Sequence, residues 1–426
     1  MMFLLLFLGL IGLVALNMPI ALALGVVAVF AVAVTSGVAA LPNMALVLYS
    51  GTTKFPLIAI PLFVLAGAIM NATGISRRLI ALASALVGFV KGGLAMVTIG
   101  ASMFFAEISG SAVADVAALG SILIPEMKRK GYSTELAASV TSSSATLAVI
   151  IPPSIPMILY GVMSGSSVVE LFVAGIVPGV VGGLLMMGVA YWLAVRYDLP
   201  VQQAFRLRRL ATTFREAAWA LLLPVIILGG IFTGWVTATE GAGIAVLAAI
   251  GIGAIYRGLD WQRLRTAMIE GGVQTAVVML LVATSALLSE FLTEQQVPQQ
   301  VARAIVGFTD NRFAVLALLN VFFLLVGLFL HSAAAIILVV PIVMPLVHAV
   351  GIDPVHFGLV VTLNLGIGQQ TPPVASVLVT ACSVAKADIW EVTKVNVYFI
   401  AVLLAVLILV TYVPAVPMAL VNLFYR

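Results

Sequence analysis

Charge is what this chain has least of. Only 8% of its residues are Asp, Glu, Lys or Arg, against roughly a quarter in a soluble domain. The first 53 residues carry none, and further charge-free stretches run over 171–195, 217–239, 271–289, 313–352 and 357–385. Such a chain cannot cover itself with a solvated surface. Cysteine is nearly absent: the single Cys382 excludes an internal disulfide and any multi-cysteine metal site. Histidine is confined to His331, His348 and His356, and the last two flank one loop. A membrane enzyme built on a His/Asp/Glu metal cluster therefore has little to draw on, and no enzymatic cofactor is expected. The net charge of +4 is not a nucleic-acid signature, because the basic residues sit in short segments flanking apolar runs.

What is present is apolar length. The chain is 63% hydrophobic with a mean hydropathy of +1.24. About 20 apolar residues cross a bilayer as a helix, so ten or more spans or half-spans fit in 426 residues. The segment Met1–Leu16 has neither a basic n-region nor a small-residue cleavage motif, and reads as a retained first helix. The expected fold is an all-α, polytopic membrane protein.

The chain also repeats itself. The doublet Pro152-Pro153 recurs at Pro372-Pro373, 220 positions later, and at the same gapless offset Pro125 falls on Pro345, Gly131 on Gly351 and Ala114 on Ala334. Proline and glycine matches mark where a chain must break or turn. Paired Pro-interrupted apolar segments in two halves point to a transporter whose site lies in broken helices.

The basic residues give the orientation. With Lys91 and Lys128-Arg129-Lys130 on the cytoplasmic side, the stretch 92–127 leaves and returns on one face, turning at Ser109-Gly110-Ser111, which makes it a re-entrant hairpin. Counting crossings onward, the matching hairpin 313–350 turns near His331-Ser332 and enters from the outside. The segments 75–92 and 297–308 read as interfacial helices. Sixteen of the twenty Lys and Arg are then cytoplasmic, with Lys54, Arg303, Arg312 and Arg426 outside. The expected layout is N-terminal scaffold helices over 1–54, a first repeat over 55–196, connecting scaffold helices over 197–274 and an inverted second repeat over 275–426.

Such hairpins suit ion and anion binding. Irregular backbone at membrane depth is tolerated only where it is buried or lines a cavity, and adjacent prolines strand several carbonyls. Carbonyls and hydroxyls suit a hard cation such as sodium. The first expected sodium site combines Ser109, Gly110 and Ser111 with Ala148, Ile151 and Pro152. The second combines Gly327 and Ser332 with Gly366, Gly368 and Thr371. Hydroxyls at Thr141, Ser142, Ser143, Ser144, Thr146 and Ser376 lie nearby in sequence. Half-helix N-termini near Ser111 and Ser332 favour an anion, so Ser111, Asp115, Ser154 and His331 are the expected contacts of a small organic anion. Each has a plainer alternative. Asp115 can be the acceptor that holds the hairpin together, His331 a neutral hydrogen-bonding residue, and the serines helix caps.

The segments GTTKFPLIAIPLFVLAGAIM, MFFAEISGSAVADVAALGSILIPEMKRKGY, IIPPSIPMILYG and LFVAGIVPG resemble the large membrane subunit of tripartite ATP-independent periplasmic (TRAP) transporters. In the second half VGLFLHSAAAIILVVPIVMPLVHAVGIDPVHFGLVVTLNLGIG, followed by TPP, resembles the same family. The resemblance implies a sodium-driven symporter of the elevator type in the bacterial inner membrane. It further implies a small four-helix membrane subunit and a periplasmic substrate-binding protein as partners, and a carboxylate as substrate. The chain departs from the family at Glu107, Ala148, His331 (where the resemblance leads one to expect Asp), Gln369-Gln370 and Ala375-Ser376. A carrier that works without a binding protein, and a channel, are the rival functions; saturable, sodium-coupled uptake that needs a binding protein separates them.

Overall fold

The computed structural model describes residues 2–16, 18–109, 112–199, 201 and 206–426. Among these there is no β-sheet, only an isolated bridge between Lys91 and Val201. Three short helices open the chain: α1 (Met2–Ala15), α2 (Ile20–Thr35) and α3 (Leu41–Thr52). Next come α4 (Ala59–Ala72) and α5 (Ile75–Val87), then the first hairpin, α6 (Gly93–Ser109) and α7 (Ala112–Arg129). The first broken crossing is α8 (Thr134–Ala145), a 3-10 turn over Thr146–Val149, and α9 (Ile155–Ser164). Four longer helices follow: α10 (Val168–Arg196), α11 (Leu207–Phe232), α12 (Ala238–Ile255) and α13 (Trp261–Glu294). The second half mirrors the first with α14 (Val297–Val306), α15 (Arg312–Phe329), α16 (Ser332–Ala349), α17 (Pro354–Gly368), α18 (Ser376–Ala385), α19 (Ile389–Tyr412) and α20 (Ala415–Phe424). Among the described residues, eight helices are long and apolar enough to cross a membrane, and the two broken crossings are built from shorter pieces.

Side-chain contacts fix the hairpins. At the foot of the first, the Leu94 N–H donates to Tyr132 Oη at 3.2 Å, and Thr98 Oγ1 approaches Met127 Sδ at 3.9 Å. The start of α6 and the end of α7 therefore lie together, and the chain returns to the face it left. In the second, Phe313 at the start of α15 stacks on Tyr412 with ring centroids 6.1 Å apart. His356, seven residues past the end of α16, donates through Nε2 to the Val410 carbonyl at 2.7 Å. Both feet are thus level. Each hairpin is followed by a matched glycine with positive φ, Gly131 at +87° and Gly351 at +67°, a conformation that costs a side-chain-bearing residue energy.

The two hairpins enter from opposite ends of the molecule. Lys128, at the end of α7, donates to the Ala385 carbonyl at 3.0 Å, where α18 finishes. Tyr160, near the end of α9, donates to the Pro354 carbonyl at 2.7 Å, just past α16. Since α8 and α9 together make one crossing, the 128–134 end and the 160–164 end are opposite. The repeats are inverted. The Lys128 end also holds the Lys91–Asp198 ion pair at 2.8 Å, while Arg426 at the other end pairs with Glu170 and Asp353. At Asp353 burial raises the carboxyl pKa, but bonds from Arg426 and from the His356 and Val355 N–H groups hold it below the usual carboxylate range. Its folded pKa lies below the unfolded one, so this stabilisation is full above the unfolded pKa and is lost as pH falls through the folded one.

Two boundaries differ from the sequence expectation. The helices that carry the charge-free stretches starting at 217 and 271 begin earlier than those stretches, because α11 and α13 already run as helix through charged residues such as Arg208, Arg215 and Arg263. Hydropathy cannot distinguish a helix that leaves the bilayer from a loop. The final apolar run is two helices, because Pro414 removes a donor where α19 ends and α20 begins. At the start of α12, Glu240 forms a capping box with Thr237. Packing places α2 and α3 on α13, α4 against α12 and α13, and α11 against α5 and α12.

The inverted hairpins predict opposite labelling. In a Cys382→Ser background, cysteines at Lys130 and Ala349, beside the two feet, are expected to react with a membrane-impermeant maleimide from opposite sides. Labelling of both from one side of intact cells would contradict the topology.

Candidate ion and substrate site

The four half-crossings converge on two interruptions. Pro152 and Pro153 have no N–H, so the carbonyls of Ala148 and Val149 have no helical partner four residues on. Val149 O instead accepts the Ser154 hydroxyl at 2.7 Å, and Ser154 Oγ caps α9 by accepting the Met157 N–H at 3.5 Å. In the second interruption the Gly368 carbonyl accepts the Thr371 N–H at 3.0 Å and Gln369 O accepts the Val377 N–H at 3.2 Å. Both proline doublets are cis.

Close backbone approach explains the glycines here. A Cβ on Gly368 would sit 2.5 Å from the Gly327 backbone, so the tip of the second hairpin packs directly on the end of α17. A Cβ on Gly366 would meet Thr146 at 2.8 Å, so α17 crosses the 3-10 turn of the first repeat. One on Gly175 in α10 would lie 2.0 Å from the Ile150 carbonyl. The glycine stripe of α10 thus packs helix against interruption.

The second set of expected sodium residues comes together. Gly327 abuts Gly368, Ser332 at the start of α16 receives a hydrogen bond from Gln369 Nε2, and Thr371 Oγ1 donates back to Ile367 O at 3.2 Å. In the first set, Ala148, Ile151 and Pro152 are buried in the interruption. Gly110 and Ser111 lie outside the described residues, as does the side chain of Ser109, whose backbone ends α6. Of the expected anion contacts, Asp115 is buried in the first turn of α7. Ser154 is fully buried and turned toward its own backbone. His331 precedes α16, exposed, with Nδ1 3.5 Å from Ser376 Oγ at the start of α18. Lys91 pairs with Asp198, and Arg129 with Glu126.

The sequence hydroxyls have a different employment. Ser142 donates to Gln370 Oε1 at 2.5 Å, Ser143 donates to Asn396 Oδ1 at 2.6 Å, and Ser144 pairs with Ser102 at 2.8 Å. Asn396 on α19 was missed, as were Asn320 and Asn364, whose carboxamides bond at 2.7 Å between α15 and α17. Their signal was available. An isolated Asn within an apolar helix is polar glue between helices.

An all-helical fold with two inverted, hairpin-bearing repeats and broken helices meeting at its centre defines a secondary-transporter architecture. The chain belongs to the DctM-component family of tripartite ATP-independent periplasmic transporters, whose model matches residues 7–416. It is 40% identical over 404 residues to the isethionate TRAP transporter permease protein DctMQ of Oleidesulfovibrio alaskensis, covering 94% of this chain and 64% of that protein. It is 38% identical over 381 residues to the C4-dicarboxylate TRAP transporter large permease protein DctM of Pseudomonas aeruginosa, covering 89% of each. The fold is that of the Alcanivorax borkumensis YdaH transporter, with a TM-score of 0.62, 15% identity and 88% of both chains covered. The chain is a multi-pass protein of the bacterial inner membrane.

Backbone contact at Gly368 has a measurable cost. Gly368→Ala is expected to destabilise the detergent-solubilised protein by about 1–3 kcal/mol, as overpacking does. Gly188→Ala, whose Cβ meets nothing within 4 Å, is expected to be neutral or to raise the unfolding temperature. Equal unfolding temperatures for the two variants would contradict the close approach.

Proposed function

We propose that the chain carries out sodium-coupled uptake of a small organic anion by an elevator motion. The observation that carries this reading is the meeting of the second hairpin tip with the Pro-broken end of α17, Gly327 on Gly368 and Ser332 on Gln369. A tip seated on an interrupted helix gathers backbone carbonyls and a hydroxyl where a desolvated sodium ion needs oxygen ligands. Inverted symmetry supports an equivalent arrangement of Ser109, Gly110 and Ser111 with Ala148, Ile151 and Pro152. The anion sits between the tips, near Ser111, Asp115, Ser154 and His331. Attraction comes from helix N-termini, bound sodium and polar side chains, without a lysine or arginine at membrane depth.

The relatives' names cover isethionate and C4-dicarboxylates, a sulfonate and carboxylates, which supports an organic anion as substrate. The family's description as one component of a tripartite periplasmic system supports a small membrane subunit and a periplasmic binding protein as partners. The residues 1–54 and 197–274, with the interfacial α5 and α14, serve as scaffold. The hairpins and broken crossings within 55–196 and 275–426 move against it.

In proteoliposomes holding the chain, its small subunit and the loaded binding protein, an inward sodium gradient is expected to drive saturable uptake, and potassium in its place to give background. Equal uptake in potassium would refute sodium coupling; uptake without the binding protein would make the chain an autonomous carrier. His331→Asp installs the residue that the resemblance leads one to expect at the second tip, and is expected to change the half-saturating anion concentration or its dependence on pH between about 6 and 8 while expression stays intact. An unchanged value and pH dependence would remove His331 from the site.

A further inference from the structure

Between the two interruptions lies one carboxamide that belongs to both. Gln370 stands two residues before Pro372, inside the Gly366–Thr371 segment, and is fully buried. Its side chain leaves its own repeat. Oε1 accepts the Ser142 hydroxyl at 2.5 Å, while Nε2 donates to the Ser142 carbonyl and to Thr146 Oγ1, each at 2.7 Å. Ser142 lies in the last turn of α8, and Thr146 opens the 3-10 turn that carries Ala148. Asn396 of α19 reaches the Gln370 main-chain carbonyl and Oε1 at 3.5 Å each, and accepts from Ser143. Both donors and the acceptor of Gln370 are therefore engaged across the repeat boundary.

We infer that Gln370 is a positioning residue that couples the two ion sites, so that ordering one interruption orders the other. The inference rests on the sodium reading above. In a dry interior, an unmade hydrogen bond is costly and a made one is directional. The Gln370 carboxamide is planar, so its three bonds fix α8 and the end of α17 in one relative position. A cation that draws the Gly366–Thr371 carbonyls inward moves the Gln370 backbone, and with it Ser142 and Thr146, one turn from Ala148. By reciprocity the first site must act on the second to the same degree. An apolar residue at 370 could fill the volume, but it could not hold that register.

The test is the sodium dependence of the whole system for wild type, Gln370→Ala and Thr146→Val. Two readouts are taken: uptake into proteoliposomes, and the sodium-dependent rise in unfolding temperature of the purified chain. Wild type is expected to respond with a Hill coefficient between 1 and 2. Both variants are expected to fall towards 1, with half-saturating sodium raised on the order of 5–10-fold, a typical range for coupled sites. Half-saturation for the anion at high sodium should stay within about twofold. A purely structural role would lower the unfolding temperature equally with and without sodium and leave the Hill coefficient unchanged, which would overturn the inference. A wild-type Hill coefficient of 1 would overturn it as well, since there would be no coupling to carry. Absence of any sodium response in wild type would instead refute the sodium reading. If Gln370→Ala does not fold, Thr146→Val decides alone, because it keeps the volume and removes one acceptor.

Discussion

A peptide carbonyl at the centre of a bilayer has no water to bond, and leaving it unpaired costs several kcal/mol. Two proline doublets create that situation in both halves of this chain, and the surrounding structure is organised to contain it. Each interruption is covered by a hairpin of its own repeat and by the broken helix of the other. Ser154 turns inward to Val149, and Thr371 and Val377 serve the carbonyls stranded in the second half. The glycines at 175, 327 and 368 exist because backbone must pass that close to backbone, and Gly366 makes room for the Thr146 side chain. Hairpins that turn back to the face they entered are tolerable only with this cover.

The same constraint shapes the chemistry. Carbonyls freed by the prolines, close to a half-helix N-terminus, offer oxygen ligands and amide donors side by side, the chemistry that the proposed co-transport of a cation and an anion would draw on. The basic residues stay at the ends, where Lys91, Lys128 and Arg426 tie elements from different parts of the chain. The interior is held instead by neutral carboxamides and hydroxyls, chief among them Gln370, Asn396, Asn320 and Asn364. Neutral groups can bind the two halves together without a desolvated charge.

Much of this architecture was legible in the residues. The recurrence of Pro152-Pro153 at Pro372-Pro373, with Gly131 and Gly351 in step, announced the repeat, because proline and glycine act on the backbone irrespective of context. The alternation of basic segments with charge-free runs gave the inverted hairpins. Helix ends were less legible. α11 and α13 run on as helix past the apolar stretch, and hydropathy registers composition but not backbone conformation. Side-chain partners across the repeat boundary were not legible. Gln369 and Gln370 stood out only as unusual residues, and nothing local to positions 142, 146 or 396 says that they meet Gln370. Such contacts are set by how two distant helices cross. The serines of α8 looked like ion ligands in the sequence because hydroxyls suit sodium, yet Ser142, Ser143 and Ser144 bond to other side chains.

The central claim is that the two interruptions, each with its hairpin tip, are the ion sites. Amide hydrogen exchange on the purified chain in sodium and in potassium tests it most directly. The account predicts that sodium slows exchange at 147–151 and 366–371, and at the tips 109–111 and 327–332, while α2, α12 and the outer end of α13 exchange alike in both salts. Identical exchange in the two salts at both interruptions would contradict it.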